Sequence, residues 1–223
     1  LKQIIVNKNE NPKFNIKVTG GKKSEQRGFL NLGNYRRLKN ACNKFGGQKL
    51  TQYGTRKVLI DADLYPLVVF LVGTMIRPTV KECFDIRKKD IAVRKNSLGK
   101  EYLQLTIARK VSATQTIPSM SSAVGAYREL NKRHKLKPDD FIFAPQIKNR
   151  KTAMRYFQDQ FRTLLKEINM TVDHHGTKLT LYSLRHTAIT MNVKKGDIPM
   201  IDIARFADCL LYTSDAADDQ ASV

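Results

Sequence analysis

A single stretch of strict alternation, set inside a chain whose apolar spacing is otherwise helical, limits the fold more than any other feature. Leu103, Leu105 and Ile107 alternate with Tyr102, Gln104 and Thr106. That period of two puts one set of side chains on each face, as in a half-buried strand. Ser112-Ala113-Thr114 is a turn into a second short strand over 115–117, within a period-two region that spans 90–119. Around it the apolar positions recur at three- and four-residue steps, which predicts helices over 32–45, 64–75, 79–87, 121–134, 151–169, 180–194 and 199–207. Gly46-Gly47 stops the first, Asp61 and Asp63 can cap the second, and the apolar content of the second calls for burial. The expected fold class is mainly α with a small antiparallel β-sheet (α+β), without internal repeats.

The charge narrows the partners. Forty Lys and Arg against twenty Asp and Glu give a formal charge of +20, which favours a polyanion, most simply nucleic acid, through phosphate neutralisation and counterion release. This names a partner class and no reaction, because an RNA-binding protein shares it. Basic residues on the predicted helices (Arg36, Arg37, Lys39; Lys132, Arg133, Lys135; Arg150, Lys151, Arg155) are either solvated surface or contacts to a nucleic-acid backbone. A hydrophobic fraction of 41% suffices for a packed core. Cys42, Cys83 and Cys209 have neither disulfide parity nor zinc spacing and suit a reducing cytosol. The apolar run from Leu64 to Val72 is interrupted by Pro66 and too short to span a bilayer. Residues 1–29, polar and basic with Gly20-Gly21, read as a linker, and a chain that starts at Leu1 is expected to have been cut from something longer.

Three segments carry chemistry: Gly73-Thr74-Met75-Ile76-Arg77-Pro78 after the apolar helix, Lys110 at the tip of the 103–117 hairpin, and Tyr182-Ser183-Leu184-Arg185-His186-Thr187 at a helix start. Taken singly, each has a plain structural reading. An arginine after an apolar helix is an ion-pair residue, a turn lysine is solvated, and Tyr182 and His186 pack or cap. His174-His175 lacks further ligands and reads as a loop.

In this order and spacing the segments resemble the boxes of the tyrosine recombinases (phage integrases), enzymes that cut and rejoin DNA through a covalent phosphotyrosine. The resemblance covers 30–208 and implies a recombinase catalytic domain, with 1–29 as linker and remnant of a preceding DNA-clamping domain. It implies that Arg77 and Arg185 clamp the scissile phosphate, whose charge a guanidinium fork matches. Lys110 would protonate the leaving 5′-oxygen, with Lys100 at the preceding turn as its competitor. Tyr182, where the family usually has histidine, would assist at the phosphate, and His186 would join Arg77, Lys110 and Arg185 in binding DNA. It implies double-stranded DNA as partner, a homo-oligomer on DNA at full length, no metal or cofactor, and a cytoplasmic setting in a bacterium or phage. A non-enzymatic basic DNA- or RNA-binding module remains a rival reading, as does a type IB topoisomerase or telomere resolvase with the same constellation.

Besides Tyr182, the sequence departs from the family pattern in three places. Val80 stands where the first box has glutamate, with Glu82 as a possible substitute. The third box falls near Ala207-Asp208 and is not recognisable. The nucleophile belongs near position 217, where Ala216-Ala217-Asp218 stands. Tyr212 follows Arg185 too closely to replace it. It also lies in Cys209-Leu210-Leu211-Tyr212-Thr213-Ser214-Asp215-Ala216-Ala217-Asp218, which resembles a transposase mosaic-end sequencing adapter translated in one frame. Residues 209–223 are therefore expected to be a non-native tail, with the nucleophile encoded beyond Asp208. Without that tail, which has three acids and no basic residue, the formal charge rises from +20 to +23.

Overall fold

The computed structural model describes residues 28–108, 114–196, 198–199 and 202–203. Its elements run α1 (Leu32–Phe45), β1 (Lys49–Tyr53), β2 (Arg56–Leu59), α2 (Leu64–Thr74), a π-turn (Val80–Phe84), a 3-10 turn (Lys88–Asp90), β3 (Ile91–Lys95), β4 (Glu101–Ile107), β5 (Gln115–Pro118), α3 (Ser122–His134), α4 (Arg150–Glu167) and α5 (Ser183–Lys195). The α+β expectation holds.

Helix α2 is the centre of the core. Apart from Tyr65 its residues are all buried, as an apolar sequence on every face requires. Pro66 fits because it lies in the first turn, where its missing N–H costs no helix bond. Gly73 permits the closest approach, to α3. A Cβ there would meet Ala123 Cβ and Ser122 Oγ, each at 2.9 Å. An aromatic cluster of Phe70, Phe84, Phe143 and Phe157 joins α2 to α4.

The sheet has the order β3-β4-β5, antiparallel throughout, with Leu105 opposite both Ile91 and Ile117. Leu103, Leu105 and Ile107 are its buried face. A second, two-stranded sheet, β1-β2, turns at Gly54 (φ +51°) and packs beside α4. It was not expected from the sequence.

Three expectations need correction. The helix expected over 79–87 is instead a single π-turn, with Asp85 N–H donating to the Val80 carbonyl (2.8 Å). Asp63 occupies the N-cap of α2 but makes no cap bond; its buried carboxylate takes Arg133 and His134 of α3. Arg150, placed by sequence on a basic helix face, is only 8% exposed. It donates to the carbonyls of Phe84 (2.8 Å), Ala144 (3.2 Å), Ile147 (2.6 Å) and Phe143 (2.5 Å) and stacks on Phe141. Arg133 likewise serves the fold, through its pairs with Asp63 and Glu129. Of the helix expected over 199–207, Asp202 and Ile203 are described and helical.

Candidate active site

The two arginine segments, 108 positions apart in the chain, meet at the end of α2. That helix terminates at Met75 in the left-handed conformation (φ 56°, ψ 16°), whose N–H still bonds to the Leu71 carbonyl. A non-glycine residue there costs about 1 kcal/mol, so other contacts must hold the turn. One is Arg185. Its Nη1 donates to the Met75 carbonyl at 2.6 Å, and the residue is 4% exposed. Asn192, two turns further along α5, donates to the Ala188 carbonyl and lies against the sulfurs of Met75 and Met120. The turn then leads through buried Ile76 to Arg77, which is partly exposed.

Arg77 is held by Glu82. The Arg77 guanidinium pairs with Glu82 Oε1 at 2.6 Å, and the Arg77 backbone N–H donates to Oε2 at 3.0 Å. Glu82 is 2% exposed, a depth at which a carboxylate needs such partners. The π-turn explains why glutamate can stand five residues after the arginine. Its i+5 bonds rotate Glu82 back toward Arg77, while Thr79 caps the turn by accepting from the Glu82 N–H. Such single π-turns concentrate at functional sites.

The hexapeptide divides its labour. Ser183, Leu184 and Thr187 are buried; Ser183 Oγ accepts from the Thr180 N–H, and Thr187 Oγ1 accepts from the Leu30 N–H at 2.8 Å. Tyr182 and His186 are half-buried one turn apart, ring centroids separated by 5.5 Å. Thus Tyr182, Arg185 and His186 gather at the start of α5 beside the Arg77 segment. Lys110 lies outside the described residues, as do Asp208 and Tyr212; the ends of β4 and β5 show only that Lys110 belongs to their connection. Lys100 lines a cleft with Met75, Tyr102, Ser119 and Met120, next to the turn that Arg185 holds.

A groove of about 480 Å³ runs between the two segments, lined by Pro78, Thr79, Gln158, Lys178, Thr180 and Tyr182. Lys178 leaves a tight loop in which the His174 and His175 rings lie 3.8 Å apart and His174 meets Phe29 edge-on. Asp173 organises this loop. Burial pushes its carboxyl up, but accepted backbone N–H bonds from Thr177, His175 and Phe29 win and hold it below the ordinary aspartate value. No group of three or more His, Cys, Asp or Glu among the described residues could hold a metal ion, and no described helix is long and apolar enough to cross a membrane.

The fold resembles that of solved structures. The XerH site-specific recombinase bound to difH substrate, in a pre-cleavage complex, superposes over 84% of this chain and 49% of its own, with a TM-score of 0.55 and 14% identity. The chain has the fold of a tyrosine recombinase catalytic domain. A post-cleavage complex of XerH with palindromic difH substrate agrees, at TM-score 0.53 and 15% identity over 82% of this chain and 46% of that one. The recombinase fold here thus spans about half the length of the chains it matches. Neither a family model nor a curated relative matches the sequence.

The sequence named both arginines as candidates but did not disclose how each is held. Glu82 stood only as a substitute for Val80, and nothing in the primary structure announced a π-turn.

Proposed function

We propose that this chain is the phosphate-gripping part of a site-specific DNA recombinase that works through a 3′-phosphotyrosyl intermediate. The observation that carries this reading is the bond from Arg185 to the Met75 carbonyl, two residues before Arg77. It ties two distant arginines to one turn, in the fold seen in recombinase–DNA complexes.

In this mechanism a tyrosine hydroxyl attacks the scissile phosphorus, the phosphorus–5′-oxygen bond breaks, and the 3′-phosphate is left on the enzyme. Arg77 and Arg185 stabilise the charge on the non-bridging oxygens. Lys110 supplies the proton to the 5′-oxygen, and Tyr182 and His186 steady the phosphate by hydrogen bonding. A second strand's 5′-hydroxyl reverses the chemistry, so bond energy is conserved. The nucleophile is encoded beyond Asp208, and Tyr212 is not its replacement. The substrate is double-stranded DNA, engaged by several protomers at once.

The source DNA tests this first. A frame that continues past codon 208 to a helical tyrosine a little over thirty residues after Arg185 supports it, whereas a genomic frame encoding 209–223 would contradict it. The extended chain should form a covalent adduct with nicked duplex and exchange strands. Relaxation of supercoiled plasmid without exchange would favour a type IB topoisomerase, and DNA binding without any adduct a non-enzymatic module.

A further inference from the structure

A second cleft, outside the arginine site, lies between β1, α4 and the loop that follows α4. It encloses about 280 Å³ and is lined by Gln52, Tyr53, Arg162, Lys166, Thr171 and Lys178 among others, with no carboxylate in its wall. Three cations around one small cleft favour an anion there. Lys166 is aimed there by two contacts, a 2.9 Å bond to the Gln52 carbonyl and the face of the Tyr53 ring at 5.1 Å. The nearest acid to Arg162 is Asp159, at a long 3.8 Å.

Gln52 supplies an independent indication. It is 2% exposed, yet its Oε1 has no hydrogen-bond partner among the described residues. Leaving a buried polar atom unmatched costs about 1–3 kcal/mol, and strand position 52 would take an apolar residue at no such cost. A primary amide is nearly isosteric end for end, so a rotation presents its NH₂ to an acceptor that enters the cleft. Arg162, Lys178 and Leu179 also line the groove beside Pro78 and Tyr182. The cleft and the arginine site are therefore successive stations along one basic track.

We infer that this cleft binds a phosphate group of the duplex backbone, held by Arg162, Lys166, Lys178 and the Gln52 amide, at a position separate from the phosphate gripped by Arg77 and Arg185. The occupant rests on the recombinase reading; the anion chemistry of the cleft does not. A single such contact positions a duplex without reading its sequence.

The test follows the Gln52 side-chain amide resonances of the intact chain during titration with inorganic phosphate, and separately with a short duplex. Both ligands should shift those resonances saturably, and phosphate should compete with the duplex for them. The double variant Arg162→Gln/Lys178→Gln, which keeps the Lys166 bond to β1, should lose the phosphate response. It should bind duplex about tenfold more weakly, with the slope of log affinity against log salt reduced by about 1–2. If phosphate leaves Gln52 unmoved, the site is refuted. A response to phosphate but not to bound duplex would overturn the backbone assignment, and the recombinase reading would stand. A response to phosphate in a chain that binds no duplex would instead overturn the recombinase reading and leave an anion site.

Discussion

Arg185 and Met75 are joined by a 2.6 Å hydrogen bond from guanidinium to carbonyl across the end of α2. Part of the guanidinium is spent on the backbone, and its planar fork fixes the direction of its N–H groups. Arg185→Lys keeps the charge but loses that fork. The expected result is a stability loss of about 1–3 kcal/mol, read from thermal unfolding, together with a cleavage rate about a hundredfold lower or worse in the extended chain.

Glu82 sets the direction of Arg77. Glu82→Gln preserves shape and removes the charge that pairs with the guanidinium. Cleavage by the extended chain should slow at least tenfold while duplex affinity changes little, because the variant misorients an arginine without deleting it. A fall in affinity as large as that of Arg77→Ala would show that Glu82 acts on binding instead.

Arg150 belongs to the core. Its four carbonyl partners tie the π-turn and the 143–147 segment to α4. Burial lowers its pKa from the ordinary arginine value. Arg150→Met orphans those carbonyls and should destabilise the fold by about 3 kcal/mol or more, with a matching drop in denaturant midpoint. Arg155→Gln, on the exposed side of the same helix, should leave stability within about 0.5 kcal/mol. It should weaken duplex binding instead.

These two arginines mark what the sequence could and could not disclose. Periodicity located α1 to its ends and found α2, α3, α4, α5 and the strand over 101–107, because each has an apolar face of regular spacing. It could not separate Arg150 from Arg155, since a buried arginine satisfied by carbonyls has no local signature. The β1-β2 hairpin escaped for a related reason: its inward position 52 is a polar glutamine. In the candidate site, Arg77, Tyr182 and Arg185 could be named from their spacing alone. Their supports, Met75 and Glu82, depend on a left-handed turn and a π-turn that only the folded backbone displays.

Asp173 gives the loop before the hexapeptide its dependence on pH. Its pKa is depressed in the folded chain, so it stabilises most above the ordinary aspartate value, and that stabilisation is lost as pH falls through the lower folded value. Protection of the His175 and Thr177 amides against exchange, taken relative to the intrinsic rate at each pH, should fall below about pH 4. Asp173→Asn should remove most of that acid dependence while leaving α2 and α4 protected. An unchanged profile in the variant would place the acid sensitivity elsewhere.

The most direct measurement of the central claim is covalent capture. The chain, carried through its genomic frame beyond Asp208, is incubated with a nicked suicide duplex taken from the DNA flanking its own gene, beside its Arg185→Ala variant. The account predicts a protein–DNA adduct with the parent and none with the variant, while both bind the duplex with affinities within about tenfold. An adduct of equal yield from the variant would contradict the assignment of Arg185 to the scissile phosphate.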